Sequence, residues 1–242
     1  MMGLKEIFSD ALRYPFSDVA KFVVLGILAL IAGISSILTN YTVEGSVMAI
    51  SGVVSFIASL IVSGYCISVI RFGVERSEDV PSISFLDNLI DGIKFIIINI
   101  AYFIIPVVIV IVLAVLSTMG YIISEVAVFG LAITVIAVGI ILFILFGIMG
   151  EVAVARFAST GEFSDAFALR SVFGDIRRIG ILKIFGFIII QFAIILAIGV
   201  VLVGIGMIPY VGLVISSFVG GAYLALFSNR SLGLLYGDAS ET

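Results

Sequence analysis

The sequence predicts an all-α, polytopic integral membrane protein with six transmembrane helices, arranged as three helical hairpins. Three observations carry this. Hydrophobic residues are 62% of the 242 positions, glycine adds 25 more, and charged residues are 12%. A soluble domain is roughly 45–50% apolar and ~25% charged, so this chain has too little polar surface to cover a globule. The apolar residues also gather into six runs, each near the ~20 residues that cross a bilayer as a helix. Finally, the 12 Lys and Arg residues all lie in segments that alternate with lysine- and arginine-free turns.

The runs cover residues 20–38, 47–70, 95–116, 126–150, 184–205 and 211–227. Before the first run stand Lys5, Glu6, Asp10, Arg13 and Asp18, and no small-residue cleavage site follows it. It is therefore expected to be a retained span rather than a cleaved signal. Lys5, Arg13 and Lys21 precede span one, and Arg71, Arg76 and Lys94 lie between spans two and three. Arg156, Arg170, Arg177, Arg178 and Lys183 lie between spans four and five, and Arg230 follows span six. The opposite turns, 39–46, 117–125 and 206–210, contain Glu44 and Glu125 but no basic residue. The positive-inside rule then places both termini in the cytoplasm and Thr42 outside, in a multi-pass protein of the cell membrane. Asn40-Tyr41-Thr42 matches a glycosylation sequon, in a turn very tight against the membrane. The longest connections, 71–94 and 151–183, are too short to bury a core of their own. One membrane domain, 1–242, is expected.

Three similar units recur within it, at about 4–71, 82–156 and 162–230. Each begins with a short amphipathic stretch: Phe8-Ser9-Asp10-Ala11-Leu12, Phe85-Leu86-Asp87-Asn88-Leu89 and Phe163-Ser164-Asp165-Ala166-Phe167. Apolar residues follow at helical spacing, which predicts an amphipathic interfacial helix before each hairpin, apolar face toward the lipid. The odd spans start alike, at Lys21-Phe22, Lys94-Phe95 and Gly186-Phe187. Pro106 is expected to bend span three, and Pro209 to end span five.

The stretch from Gly150 through Arg156 and Phe163 to Phe167, the run from Tyr65 through Arg71 to Pro81, and the six-span layout carry a resemblance. Together they resemble a family of small archaeal membrane proteins, found in bacteria too, known only as a domain of unknown function. The resemblance covers most of the chain and rests on loose small-residue and Ala-Phe patterns. It implies an integral membrane protein of archaeal origin. It transfers no functional residue.

Composition excludes several chemistries. With no His there is no imidazole base, no His-ligated metal or haem, and no Ser-His or Cys-His nucleophile. The lone Cys66 forms neither an internal disulfide nor a thiolate cage. Net charge is −4 without a basic tract, so nucleic acid is not an expected partner. No catalytic residue, cofactor or metal is expected.

Candidate residues are therefore polar groups in or beside the spans. Ser51, Ser55, Ser59 and Ser63 recur every four residues, as a small-residue helix seam or a pore lining. Asn99 and Gln191 hold matching places in units two and three and need hydrogen-bond partners in hydrocarbon. No charge lies near a midplane, which argues against an ion-coupled carrier. Glu151 ends a span, where Arg156 or a neighbouring basic loop is its expected partner. Arg71, Arg156, Arg177 and Arg178 are candidate interfacial contacts. The acids Glu75, Glu78, Asp79, Asp87 and Asp91 of the second loop are expected to attract the basic residues of the third.

The leading expectation is a non-enzymatic membrane protein acting through lipid or protein contacts, as an accessory subunit, scaffold or assembly factor. Membrane lipids, a protein partner or a second copy are its expected partners. The alternative is a channel or uncoupled transporter for a small neutral or amphipathic solute. A membrane enzyme ranks third and would need Glu151, Glu162 and Asp165.

Overall fold

The polar N-terminal stretch folds as α1 (Leu4–Arg13). Its first turn is closed by the Glu6 carboxylate, which accepts from the Gly3 N–H at 2.9 Å. Pro15 follows in a 3₁₀ turn, Tyr14–Phe16, where no backbone donor is needed. Asp18 then caps α2 (Val19–Leu38) by accepting the Lys21 N–H at 3.0 Å. That backbone bond holds the Asp18 carboxyl below its ordinary pKa. The chain continues as α3 (Gly45–Val74), α4 (Phe85–Met119) and α5 (Glu125–Thr160). A 3₁₀ turn, Phe163–Phe167, leads to α6 (Leu169–Ile179), and Gly180, at φ +93°, turns the backbone into α7 (Ile181–Gly206). The short α8 (Gly212–Ile215), a π turn at Ser216–Gly220 and α9 (Gly221–Ser240) complete the chain.

The computed structural model describes residues 2–41, 43–119, 125–209 and 211–240. Thr42, and with it the end of the sequon, lies outside the described residues, as do 120–124 and Tyr210. The side chain of Glu125 is likewise outside them. Among the described residues there is helix and turn but no strand. Six helical segments are long and apolar enough to cross a membrane: Val19–Leu38, Gly45–Val74, Phe85–Leu116, Gly130–Thr160, Ile181–Gly206 and Gly212–Ala239.

Several boundaries differ from the sequence expectation. Phe85 does not begin a separate interfacial helix; it begins α4, which runs unbroken into the third span. No proline stands between Phe85 and Lys94, and Asp87, Asn88, Asp91 and Gly92 do not stop the helix, which propagates through them. α5 likewise runs past Gly150 through the helix-favouring Ala153, Ala155 and Ala158 and stops at Gly161, at φ +76°. The sixth span is not one regular helix: the π turn interrupts it, and Ser216 donates its hydroxyl to the Leu202 carbonyl of α7 at 2.8 Å. Pro106 sits inside α4, and Pro209 in the turn after α7.

α3 is the central element, packed on α2, α4, α5 and α9. Two crossings depend on glycine. A Cβ on Gly64 would fall on the Asn88 carbonyl oxygen, and one on Gly92 on the Leu60 carbonyl oxygen, so α3 and α4 touch backbone to backbone. At the α3–α9 crossing, a Cβ on Gly73 would lie 2.9 Å from the Gly233 Cα. In lipid, where the solvent is as apolar as the side chains, such close approach is a main source of helix association.

The serine row divides between faces. Ser55 accepts the Ser35 N–H at 3.1 Å and donates to the Ile31 carbonyl at 3.3 Å, tying α3 to α2. Ser51 donates to Met48 of its own helix. Ser59 is exposed and Ser63 half-buried, so the four do not form one seam. Every fourth residue drifts by about 40° around a helix of 3.6 residues per turn, which carries Ser59 off the face shared by Ser51 and Ser55.

The main core lies at the end carrying the basic residues, hereafter the charged end. It includes Ile7, Phe8, Phe157, Val172, Phe227 and Leu234. The apolar face of α1 is covered by protein rather than turned to lipid: Ile7 and Ala11 are fully buried, and Phe8 stacks on Phe187 of α7 with ring centroids 5.2 Å apart. A smaller cluster joins Leu25, Tyr65, Val69, Val80 and Leu226.

Candidate functional site

α4, α5 and α7 each bring one strongly polar side chain to the same place. Asn99, Glu151 and Gln191 line a single cavity of about 350 Å³, near the lower end of the ~300–1,000 Å³ usual for ligand pockets. The rest of the wall is apolar apart from Tyr236, with Phe103, Ile148, Ile184, Phe187 and Leu232 among it. α7 packs on α1, α6, α8 and the π turn, which leaves a gap toward α5. The lining residues Phe143, Ile144, Ile188 and Phe192 are exposed, so the cavity opens sideways between α5 and α7 onto the apolar surface.

The polar groups are unequally satisfied. Asn99 donates to the Phe95 carbonyl one turn back at 2.9 Å, so its own amide oxygen stays available as an acceptor. The Ser231 hydroxyl directs its one proton at the Ser228 carbonyl at 2.8 Å, and the Gln191 oxygen lies 3.4 Å from that hydroxyl as a long secondary contact between α7 and α9. Tyr236 is committed to Asp175, to which it donates at 2.8 Å. Among the described residues, the Glu151 carboxylate meets no hydrogen-bond donor and no cation. It does not pair with Arg156. Five residues apart on one helix, the two project about 140° from each other, on different faces.

Arg156 instead binds Asp175 at 2.9 Å and lies 3.9 Å from Asp165. Arg71 donates through Nε to the Ala158 carbonyl at 3.0 Å, joining α3 to α5. Arg178 reaches Asp175 at 3.7 Å from an exposed position, and Arg177 is exposed. The expected attraction between the acids of the second loop and the bases of the third is not how the charged end is joined. Lys183 and Arg76 both reach Asp238, at 2.6 Å and 3.2 Å. The second loop is held mainly by its carbonyl oxygens: Tyr14 donates to Asp79 at 2.8 Å, Lys21 to Val80, and Tyr65 to Pro81 at 3.1 Å.

Arg230, 2% exposed, is the residue that sequence reasoning passed over. Its Nε binds Asp10 at 2.8 Å, its Nη1 reaches the Phe72 and Ser77 carbonyls, and its guanidinium lies 4.5 Å from the Tyr14 ring centroid. Burial pushes the Tyr14 hydroxyl up to about 12, against the opposing pull of Arg230. Asp238, 1% exposed, gathers Lys183, Arg76 and the Met2 N–H. The available signal was an uncharged run, 231–237, with one charge at each border, Arg230 and Asp238. Among the described residues, no cluster of carboxylates or thiols has the form of a metal site.

The family described as "Protein of unknown function (DUF4013)" matches residues 47–210 of the chain. That segment holds all three polar cavity residues and leaves Arg230 and Asp238 outside it. No curated protein and no solved structure matches.

Proposed function

The chain belongs to the family described as "Protein of unknown function (DUF4013)", and from that premise we propose a non-enzymatic, multi-pass protein of the cell membrane that holds one amphiphilic molecule in the cleft between α5 and α7. The observation that supports this reading is the convergence of Asn99, Glu151 and Gln191 on one otherwise apolar cavity that opens sideways. A sideways mouth admits a ligand from the bilayer rather than from water, and an amphiphile matches a wall of apolar side chains with a few polar groups. Both termini are read as cytoplasmic from the positive-inside pattern. Such a protein acts through lipid and protein contacts, as an accessory subunit, scaffold or assembly factor. The exposed apolar surfaces of α4, α5 and α7 face lipid, a protein partner or a second copy.

The test is lipid retention. The full chain, purified in mild detergent and opened by native mass spectrometry, is expected to carry one amphiphile per chain. Gly147→Leu fills the cavity from its wall, where a Cβ meets only the Phe103 ring at 4.0 Å, and should lower that occupancy several-fold. Unchanged occupancy in this variant would overturn the reading. Sustained solute flux in liposomes, lost in Asn99→Leu and Gln191→Leu, would replace it with the transporter alternative.

A further inference from the structure

Resting on that reading, we infer that the cleft selects a cationic amphiphile, an ammonium or similar donor-rich head group seated at the Glu151 carboxylate with its aliphatic chain along the α5–α7 gap. The cavity wall contains one ionisable acid and no Lys or Arg. Of the cations on the flanking segments, Arg156 is engaged with Asp175, Lys94 with Asp91 at 2.9 Å and Lys183 with Asp238, while Arg170 and Arg177 of α6 are exposed and, among the described residues, neither forms an ion pair with Glu151. Among the described residues, no protein group beside Glu151 is left to neutralise it. Glu151 is exposed at the mouth of the cavity, and where that mouth meets lipid a carboxylate is strongly destabilised unless a counter-charge reaches it. The second open group is also an acceptor, because Asn99 donates to Phe95 and keeps its carbonyl oxygen. The Gln191 and Asn99 amides also carry N–H donors, so the Glu151 carboxylate decides the charge of the head group: with no cation in the wall it repels an anionic head group and favours a positive one. The phenol of Tyr236 does not alter the balance, since its proton is directed at Asp175.

The experiment compares three amphiphiles of equal chain length on the full chain in nanodiscs at submicellar concentration: dodecylammonium, dodecanol and dodecanoate. Equilibrium dialysis should show saturable dodecylammonium binding at least tenfold tighter than dodecanol, with dodecanoate weakest. Glu151→Gln should bring dodecylammonium to the dodecanol level, while Gly147→Leu should weaken both. The ratio in the unsubstituted protein is decisive by itself, so the inference stays falsifiable if Glu151→Gln does not fold. Equal affinities for dodecylammonium and dodecanol, with dodecanol still weakened by Gly147→Leu, would overturn the cation preference and leave the amphiphile site standing. Absence of saturable binding by all three would overturn both.

Discussion

The two halves of the bundle are held by different physics. At the charged end, helices close to backbone contact at Gly64–Gly92 and Gly73–Gly233, and Arg230, Asp238 and Asp175 are buried among partners. In the far half, large side chains such as Ile104, Ile111, Ile140, Ile189 and Val200 are exposed, and α7 has no buried residue beyond Phe187. The contrast follows from the solvent each half meets. Near water, apolar burial is favourable and a buried charge must find a partner. Within lipid the outer side chains are already in an apolar medium, so association depends on close packing and a few hydrogen bonds. Between the halves, where the close packing of α5 stops and α7 swings away, lies the cavity with Asn99, Glu151 and Gln191.

The largest expected effect comes from taking the charge out of the packed half. Arg230→Leu removes the donor to Asp10 and to two carbonyls, and should destabilise the protein by on the order of 3 kcal/mol. Asp10, partly exposed, recovers water and moderates the loss. The chain has no Trp and one thiol, so thermal unmasking of Cys66 to a fluorogenic maleimide reports the unfolding of α3 directly. A melting curve equal to the unsubstituted protein would show that the ionic network is not what holds this end together.

A matched pair of glycine substitutions sharpens the comparison. Gly64→Leu drives a side chain into the Asn88 carbonyl and should cost at least the ~1–3 kcal/mol typical of overpacking. Gly199→Leu, on α7 in the far half, places its new side chain where an added Cβ meets nothing within 4 Å, and should leave stability almost unchanged. Equal losses in the same Cys66 assay would mean that the far half is as tightly packed as the charged end.

The smallest loss expected from a removed contact belongs to Ser55→Ala. It removes two hydrogen bonds between α3 and α2 and should cost roughly 1 kcal/mol, at an average of ~0.6 kcal/mol for each bond in lipid. Reversible unfolding in mixed micelles, followed by helical circular dichroism, resolves a change of that size. A loss several times larger would place α2 among the tightly held elements.

Six spans, their approximate places and the clustering of positive charge were legible in the sequence, because length and hydropathy alone decide whether a helix suits a bilayer. Asn99, Gln191 and Glu151 stood out for the same reason: amides and carboxylates in or beside apolar runs are costly enough to mark themselves. That they meet in one cavity depends on how α4, α5 and α7 cross, and no local pattern states a crossing angle. The pairing of charges was also hidden. Arg230 is 220 positions from its partner Asp10, and Lys183 is 55 from Asp238. Four-residue spacing suggested a continuous serine seam, yet helical drift leaves only Ser51 and Ser55 buried. The amphipathic stretch at Phe85 looked like its twin at Phe8, but the unbroken helix-forming chain after it made it part of α4, while the turn at Pro15 cut α1 free to fold back onto α7 and α9. Composition and hydropathy thus determined that six helices are long and apolar enough to cross a membrane. Only the tertiary structure decided which face meets which, since lipid is indifferent among apolar faces and the choice falls to glycine contacts and buried charges far apart in the chain.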